Sequence, residues 1–232
     1  MANEVARTYS GVPGFDEMVG GGIPNGSLCV LSGDPGSGKT IFCLQFLYNG
    51  VAQYNENGVY ISLEESKQEI IATASVFGWD FQKMVDENKL GLMTVELYDF
   101  DKLRDAIEDM VTKVNAKRVV IDPGVVFRLY FERELDARKR ILSLGRMLKR
   151  IGCTAIVTNE ISLDKTSSLF GLEEYVADGV ILLYHTKLND RFIRSVGILK
   201  MRGTKISEKL HPIIISKTGI KILPKQTMFE EM

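Results

Sequence analysis

Histidine, cysteine and tryptophan are scarce in this chain of 232 residues: two, three and one, respectively. His185 and His211 lie far apart and neither has a Cys, His or Asp cluster near it, which argues against a zinc site. Cys29, Cys43 and Cys153 are odd in number and widely spaced, and each sits in an apolar run, where a cysteine serves as a small buried hydrophobe. They offer no disulfide framework, so a reducing, cytoplasmic setting is expected. No apolar run approaches the length of a membrane span, and the first ten residues lack the apolar stretch of a signal peptide. An excess of charge is missing as well: 29 basic residues stand against 30 acidic ones, net −1. No global field draws the chain onto nucleic acid or an anionic membrane. Low-complexity tracts, long linkers and repeats are absent, so 1–232 reads as one α/β domain with a loose tail over 224–232.

What is present is alternation. Ser27–Ser32, Gly58–Leu63, Leu92–Val95, Arg118–Asp122 and Cys153–Thr158 are short apolar runs of strand length. Between them, Thr40–Tyr54, Ser66–Phe77, Asp101–Asn115 and Arg133–Ile151 carry helical spacing, with Leu103, Ile107, Met110 and Val114 as one clear stripe. Strands apolar along their whole length are buried on both faces, which implies a mostly parallel twisted sheet with helices on both sides. After Asp178 the pattern changes. Val180–Tyr184, Ile193–Met201, His211–Ile215 and Gly219–Leu223 follow one another without helices, and Asn189-Asp190 marks a turn, so an antiparallel extension is expected.

Gly33-Asp34-Pro35-Gly36-Ser37-Gly38-Lys39-Thr40 fits the P-loop pattern (Walker A), with an apolar strand before it and a helical pattern after it. The residue types suit a polyphosphate. Backbone N–H groups at a helix N-terminus receive its charge, and glycines let the chain wrap closely around it. Lys39 supplies a point charge for the β/γ-phosphates and Thr40 a hydroxyl for Mg²⁺. Asp34, Pro35, Gly36, Ser37, Gly38, Lys39, Thr40 and the following Ile41 form the expected nucleotide contacts. Asp122 ends the strand Arg118–Asp122 in Walker B manner and is the second candidate magnesium residue; it would equally cap the Asp-Pro-Gly turn. Glu64-Glu65 follows the strand ending at Leu63. There a glutamate is placed to polarise water against a γ-phosphate, or simply to favour the start of the next helix. ATP and Mg²⁺ are the expected cofactors.

With these elements in place, the chain resembles the KaiC-type ATPases of the RecA superfamily over almost its whole length. Gly11-Val12-Pro13-Gly14-Phe15-Asp16, Gly20-Gly21-Gly22-Ile23-Pro24, Phe77-Gly78-Trp79-Asp80 and Leu199-Lys200-Met201-Arg202-Gly203-Thr204 carry the resemblance beside the P-loop. It implies a RecA-like P-loop fold and catalytic roles for Glu64, principally, and Glu65. It implies a sensor segment at Thr158-Asn159-Glu160. It further implies that Lys200, Met201, Arg202 and Thr204 contact ATP held by a neighbouring subunit, in a homo-oligomeric and normally hexameric ring. Read from spacing alone, Lys200 and Arg202 share one strand face, which solvent would also suit. Two departures stand out. Pro123 replaces the hydroxyl residue that usually follows the Walker B aspartate, which implies slow turnover. Glu174-Tyr175 stands where tandem-domain members carry a phosphate-accepting Ser-Thr pair, so autokinase activity is not expected.

The helix at 133–151 is basic through Arg138, Lys139, Arg140, Arg146, Lys149 and Arg150, with Glu134 and Asp136 placed to pair with Arg138 and Arg140. A solvated or subunit-facing surface suits it better than a nucleic-acid site. Ser162–Gly171 is the candidate mobile loop and offers one lysine and one aromatic, thin support for DNA binding. The expectation is therefore a magnesium-dependent ATPase ring. A nucleotide-gated module that regulates a protein partner with little hydrolysis stands as the first alternative, and a recombinase-like DNA motor as the second.

Overall fold

The computed structural model of the protein describes residues 6–95, 100–123, 133–160 and 176–228, Glu134 by its backbone alone. The chain opens with β1 (Arg7–Thr8) and β2 (Ile23–Pro24), an antiparallel pair flanking the short helix α1 (Phe15–Met18). There follow β3 (Leu28–Gly33), α2 (Lys39–Tyr54), β4 (Gly58–Ser62), α3 (Lys67–Val76), α4 (Phe81–Asp86) and β5 (Leu90–Thr94). Next come α5 (Phe100–Val114), β6 (Arg118–Asp122), α6 (Glu134–Arg150) and β7 (Thr154–Glu160). The last are β8 (Gly179–Leu188), β9 (Arg191–Met201), β10 (His211–Ser216) and β11 (Gly219–Ile222). Among the described residues the large sheet has the order β11-β10-β9-β8-β3-β7-β6-β4-β5. Neighbours from β8 to β5 run parallel, whereas β9, β10 and β11 are antiparallel additions at one edge. This is the mostly parallel sheet with an antiparallel extension that the apolar runs imply.

Alternation along each strand divides the core. Leu31, Tyr60, Val120 and Ile156 face the side of α2, in one cluster with Phe42, Phe46 and Leu47. Their odd-parity neighbours Val59, Ile61, Val119, Ile121, Ala155 and Val157 face the side of α5 and α6. Successive strand side chains point to opposite faces, so helices on both sides are required to cover them. At the edge, α2 is buried beyond the single mixed face its spacing suggests: Phe42, Cys43, Leu44, Gln45, Phe46 and Leu47 are all inside. The reason is a second cover. Phe15, Met18, Ile213, Ile220 and Ile222 close over α2 from the N-terminal segment and the β10–β11 hairpin. Gln45 survives burial because its amide pairs both ways with the Ile220 backbone, donating to O at 3.0 Å and accepting from N–H at 2.6 Å.

Helix ends follow local chemistry. Ser66 and Glu69 form a capping box that starts α3, and Asp80 caps α4 by accepting from the Lys83 N–H. The α4 helix has only six residues, and neither it, α1 nor the β1–β2 pair is apparent from the sequence spacing. Two expectations are corrected. Arg140 pairs with Asp101 of α5 rather than along its own helix, and Arg150 pairs with Glu108, so part of the basic surface of α6 is spent on docking α5. Residues 224–228 are held rather than loose: Met228 N–H donates to Leu210 O, and the Gln226 carbonyl lies 2.7 Å from Nδ1 of buried His211. The remainder of the expected tail lies outside the described residues. Among the described residues no helix is long and apolar enough to cross a membrane.

Candidate nucleotide-binding site

The parallel strands β3, β6, β4 and β7 end on one rim of the sheet, where the P-loop, Glu64-Glu65, Asp122 and Thr158–Glu160 gather. β3 ends at Gly33 and α2 begins at Lys39, with the loop between them. Gly38, at the N-cap of α2, has φ 106° and no side chain that could bond the first helical N–H groups. A Cβ there would lie 3.1 Å from Ile215 and 3.2 Å from Ile220, in a backbone conformation that L residues avoid. Glycine thus leaves the helix N-terminus open, an arrangement that receives anions. The Lys39 ammonium arches back over the loop and donates to the carbonyls of Gly33 (2.9 Å) and Asp34 (3.2 Å). Asp34 itself points away, accepting from the His185 N–H of β8 at 2.8 Å. Ser37 is buried, and its hydroxyl has no protein partner.

Asp122 is the centre of the arrangement. It accepts from the hydroxyls of Thr40 (3.2 Å), Tyr60 (2.5 Å) and Thr158. These come from three elements: α2, then β4 and β7 on either side of β6. Parity explains the convergence. Tyr60, Asp122 and Thr158 have the parity of Tyr60, Val120 and Ile156 and so face α2. Ser62, opposite Asp122 in register, accepts from the Glu64 and Glu65 N–H groups at 3.4 and 2.8 Å, which turns the chain at the rim.

The two glutamates differ. Glu64 is exposed, whereas Glu65 is half-buried with Oε2 shielded and without a hydrogen-bond partner. Burial, followed by the charges of Asp122, Glu69 and Glu64, pushes the Glu65 carboxyl above the ordinary carboxylate range. The inward carboxylate is therefore the second of the pair, not the first. Burial and then Asp122 likewise push the Tyr60 phenol up. Thr158 is fully buried, and Glu160 stands exposed at the strand end, in register with Gly33.

A cleft of about 570 Å³ opens beside the loop, lined by Gly36, Gly38, Lys39, Thr40 and Ile41 together with Arg194 and Ile215. Arg194 donates from Nε to the Gly36 carbonyl at 2.9 Å. Its cross-strand partner His185 lies 3.3 Å from the Pro35 carbonyl. Sequence reasoning missed Tyr60, Ser62, Arg194 and Ile215 as parts of this rim. The register of β4 against β6 brings Tyr60 and Ser62 here, that of β9 against β8 brings Arg194, and the β10–β11 hairpin brings Ile215.

Lys200, Met201, Arg202 and Thr204 are not at this cleft. Met201 pairs with Gly179, which pairs with Cys29, so they sit at the opposite end of β3 from the P-loop. That is about 13 Å away along the strands. Met201 is buried against Cys29 and offers no side chain outward. Arg202 lies just past the end of β9, exposed and paired with Asp178 at 3.2 Å, and Thr204 accepts from Arg7 at 3.1 Å. The loop 162–171 and Glu174-Tyr175 lie outside the described residues.

Among the described residues no group of three or more His, Cys, Asp or Glu side chains gathers to hold a metal. Thr40 and Asp122 do supply hard oxygen donors beside the loop. Such a pair fits magnesium that arrives on phosphates and keeps most of its waters, rather than a cation needing a protein cage.

A sequence profile described as "ATPase: KaiC" matches residues 8–227. The chain belongs to the KaiC ATPase family. Within the family, it is 35% identical to UPF0273 protein MJ1359 of Methanocaldococcus jannaschii, over 96% of this chain and 98% of that protein. It is also 35% identical to circadian clock oscillator protein KaiC of Synechococcus elongatus, over 97% of this chain but 45% of that protein. The chain therefore spans about half the length of that KaiC. Among solved structures, KaiC-like protein PH0186 of Pyrococcus horikoshii OT3 superimposes with a TM-score of 0.84 at 39% identity, covering 95% of this chain and all of that one. Membership of the KaiC family carries ATP binding and ATPase character with it, and the fold is that of its RecA-like members.

Proposed function

We propose that the chain binds Mg²⁺-ATP at the β3–α2 loop and hydrolyses it at the interfaces of a homo-oligomeric ring. The observation that carries this reading is Asp122, held by hydroxyls from Thr40, Tyr60 and Thr158 beside an uncapped helix N-terminus. The N–H groups from Gly36 to Ile41 would receive the phosphates. Lys39, now bonded to loop carbonyls, would exchange them for β/γ-phosphate oxygens. Thr40 and Asp122 would hold magnesium, directly and through water; the ion, when bound, neutralises phosphate charge. Glu65 faces the site with an unpartnered oxygen and a raised proton affinity, which suits it to orient and polarise the attacking water. Glu64 is exposed and would act at the rim, where a neighbouring subunit can order it.

The placement of the remaining candidates supports the ring reading. Lys200 and Arg202 stand at the far end of the sheet from their own P-loop, so the ATP contacts that the family resemblance assigns to them would be made to a neighbouring copy. There they would stabilise charge developing in the transition state. In the second reading, a nucleotide-gated module with little hydrolysis, Pro123 leaves Asp122 without a hydroxyl from the following residue.

Phosphate release from Mg²⁺-ATP, with mass by light scattering in the same buffer, separates the two. In the ATPase reading wild type turns over as an oligomer, Glu65→Gln binds ATP and loses turnover at least a hundredfold, and Lys39→Ala loses binding. Tight binding without release above the Glu65→Gln background would leave the gated module.

A further inference from the structure

We infer that Tyr60 is a positioning residue that fixes the Asp122 carboxylate for a divalent cation. Asp122 ends β6 between β4 and β7, and each flanking strand sends it one hydroxyl: Tyr60 to Oδ2 at 2.5 Å and Thr158 to Oδ1. The torsion about a carboxylate's last bond is broad and roughly two-fold, so an Asp at a strand end is free to swing. Donors on both oxygens, from both neighbouring strands, remove that freedom.

The next residue cannot help. Pro123 has neither a hydroxyl nor a backbone N–H to hold the carboxylate from the chain itself. Tyr60 can. Its ring is 1% exposed within the α2-side core, so the phenol projects from a fixed base. Packing alone does not account for the side chain, since phenylalanine would fill the same space without burying a hydroxyl. Oδ2 also accepts from Thr40, so a line of contacts runs from the core through Asp122 to the first turn of α2. A cation held by Thr40 and Asp122 would meet a carboxylate already aimed.

This inference rests on the reading of Asp122 as the magnesium residue, and the experiment keeps the two apart. Binding of a fluorescent ATP analogue is measured in EDTA and across a Mg²⁺ titration, for wild type, Tyr60→Phe, Asp122→Asn and the double variant. Tyr60→Phe is expected to leave binding in EDTA within twofold of wild type and to raise the half-saturating Mg²⁺ concentration about tenfold, as befits a lost hydrogen bond to a charged group. In the Asp122→Asn background the same change is expected to do nothing further. Urea unfolding in EDTA gives a readout free of metal, in which the two substitutions should show coupling. A Mg²⁺ half-saturation within twofold of wild type overturns the role of Tyr60, as does an equal loss of binding with and without Mg²⁺, which marks a merely structural side chain. A Mg²⁺ response that survives Asp122→Asn removes the cation assignment itself.

Discussion

Gln45 is the side chain on which the antiparallel edge depends, and its removal has a calculable cost. It is 3% exposed and Ile220 is 2% exposed, so neither the amide nor the backbone it pairs with reaches solvent. Ile220 belongs to the last strand of the sheet, and the amide stands where a further strand would pair. Gln45→Met keeps the volume and deletes both bonds. Each of the two backbone groups then left buried without a partner costs about 1–3 kcal/mol, so the substitution should destabilise by about 2–6 kcal/mol. Gln45→Glu keeps the acceptor for the Ile220 N–H but sets a carboxylate against the Ile220 carbonyl. Burial raises the pKa of that carboxyl, so the damage should be largest near neutral pH and should ease as pH falls. Urea unfolding followed by fluorescence suits the question, because the single tryptophan, Trp79, packs beside Gly219, within 2.7 Å of where a Cβ would stand. A loss below about 1 kcal/mol for Gln45→Met would refute the argument that these bonds are obligatory.

Two further predictions concern ionisation. The Glu65 carboxyl has its pKa raised on folding from 4.5, so the folded state holds the proton more tightly and the charged form weakens the fold. That penalty is absent below the unfolded value and grows as pH rises through the folded one. Glu65→Gln should therefore raise the melting midpoint of the metal-free protein at pH 7 and leave it unchanged at pH 4; equal shifts at both would contradict the assignment. Burial pushes the thiols of Cys29 and Cys153 up to about 12 and about 11, and that of Cys43 well above its ordinary value. No thiol should react with a disulfide reagent at pH 8 until the protein unfolds, and prompt labelling of any one would show that its surroundings open.

The parts of this site that can be read from sequence are those fixed by neighbours along the chain. The P-loop is contiguous, and its function depends on local backbone shape, so Gly36 to Ile41 are legible as a unit. Asp122 is legible because it ends an apolar run. Tyr60 looks like one more core aromatic until β4 is registered against β6, and then it lies diagonal to Asp122 and within reach. Arg194 likewise acquires meaning only when His185 is found opposite it. Which of the two glutamates is half-buried could not be read either, because it depends on how Ser62 turns the chain. The fold class is legible through alternation and strand length. The short elements α1, α4 and β1–β2 are not, since four to six residues, or two, carry too little periodicity.

The β9 strand runs the full depth of the sheet. Arg194, near its start, grips the P-loop at the Gly36 carbonyl, while Lys200, near its end, lies six positions on, about 20 Å away. Its ladder to β8 runs unbroken from the Leu188–Arg191 pair to the Ile181–Ile198 pair, then shifts register at a bulge before the Val180–Lys200 pair. A displacement of the loop at one tip would be carried by the backbone ladder as far as that bulge, with Lys200 just beyond it. In an assembly of identical copies, each protomer would carry a mechanical linkage from its own cleft to the surface it presents next door.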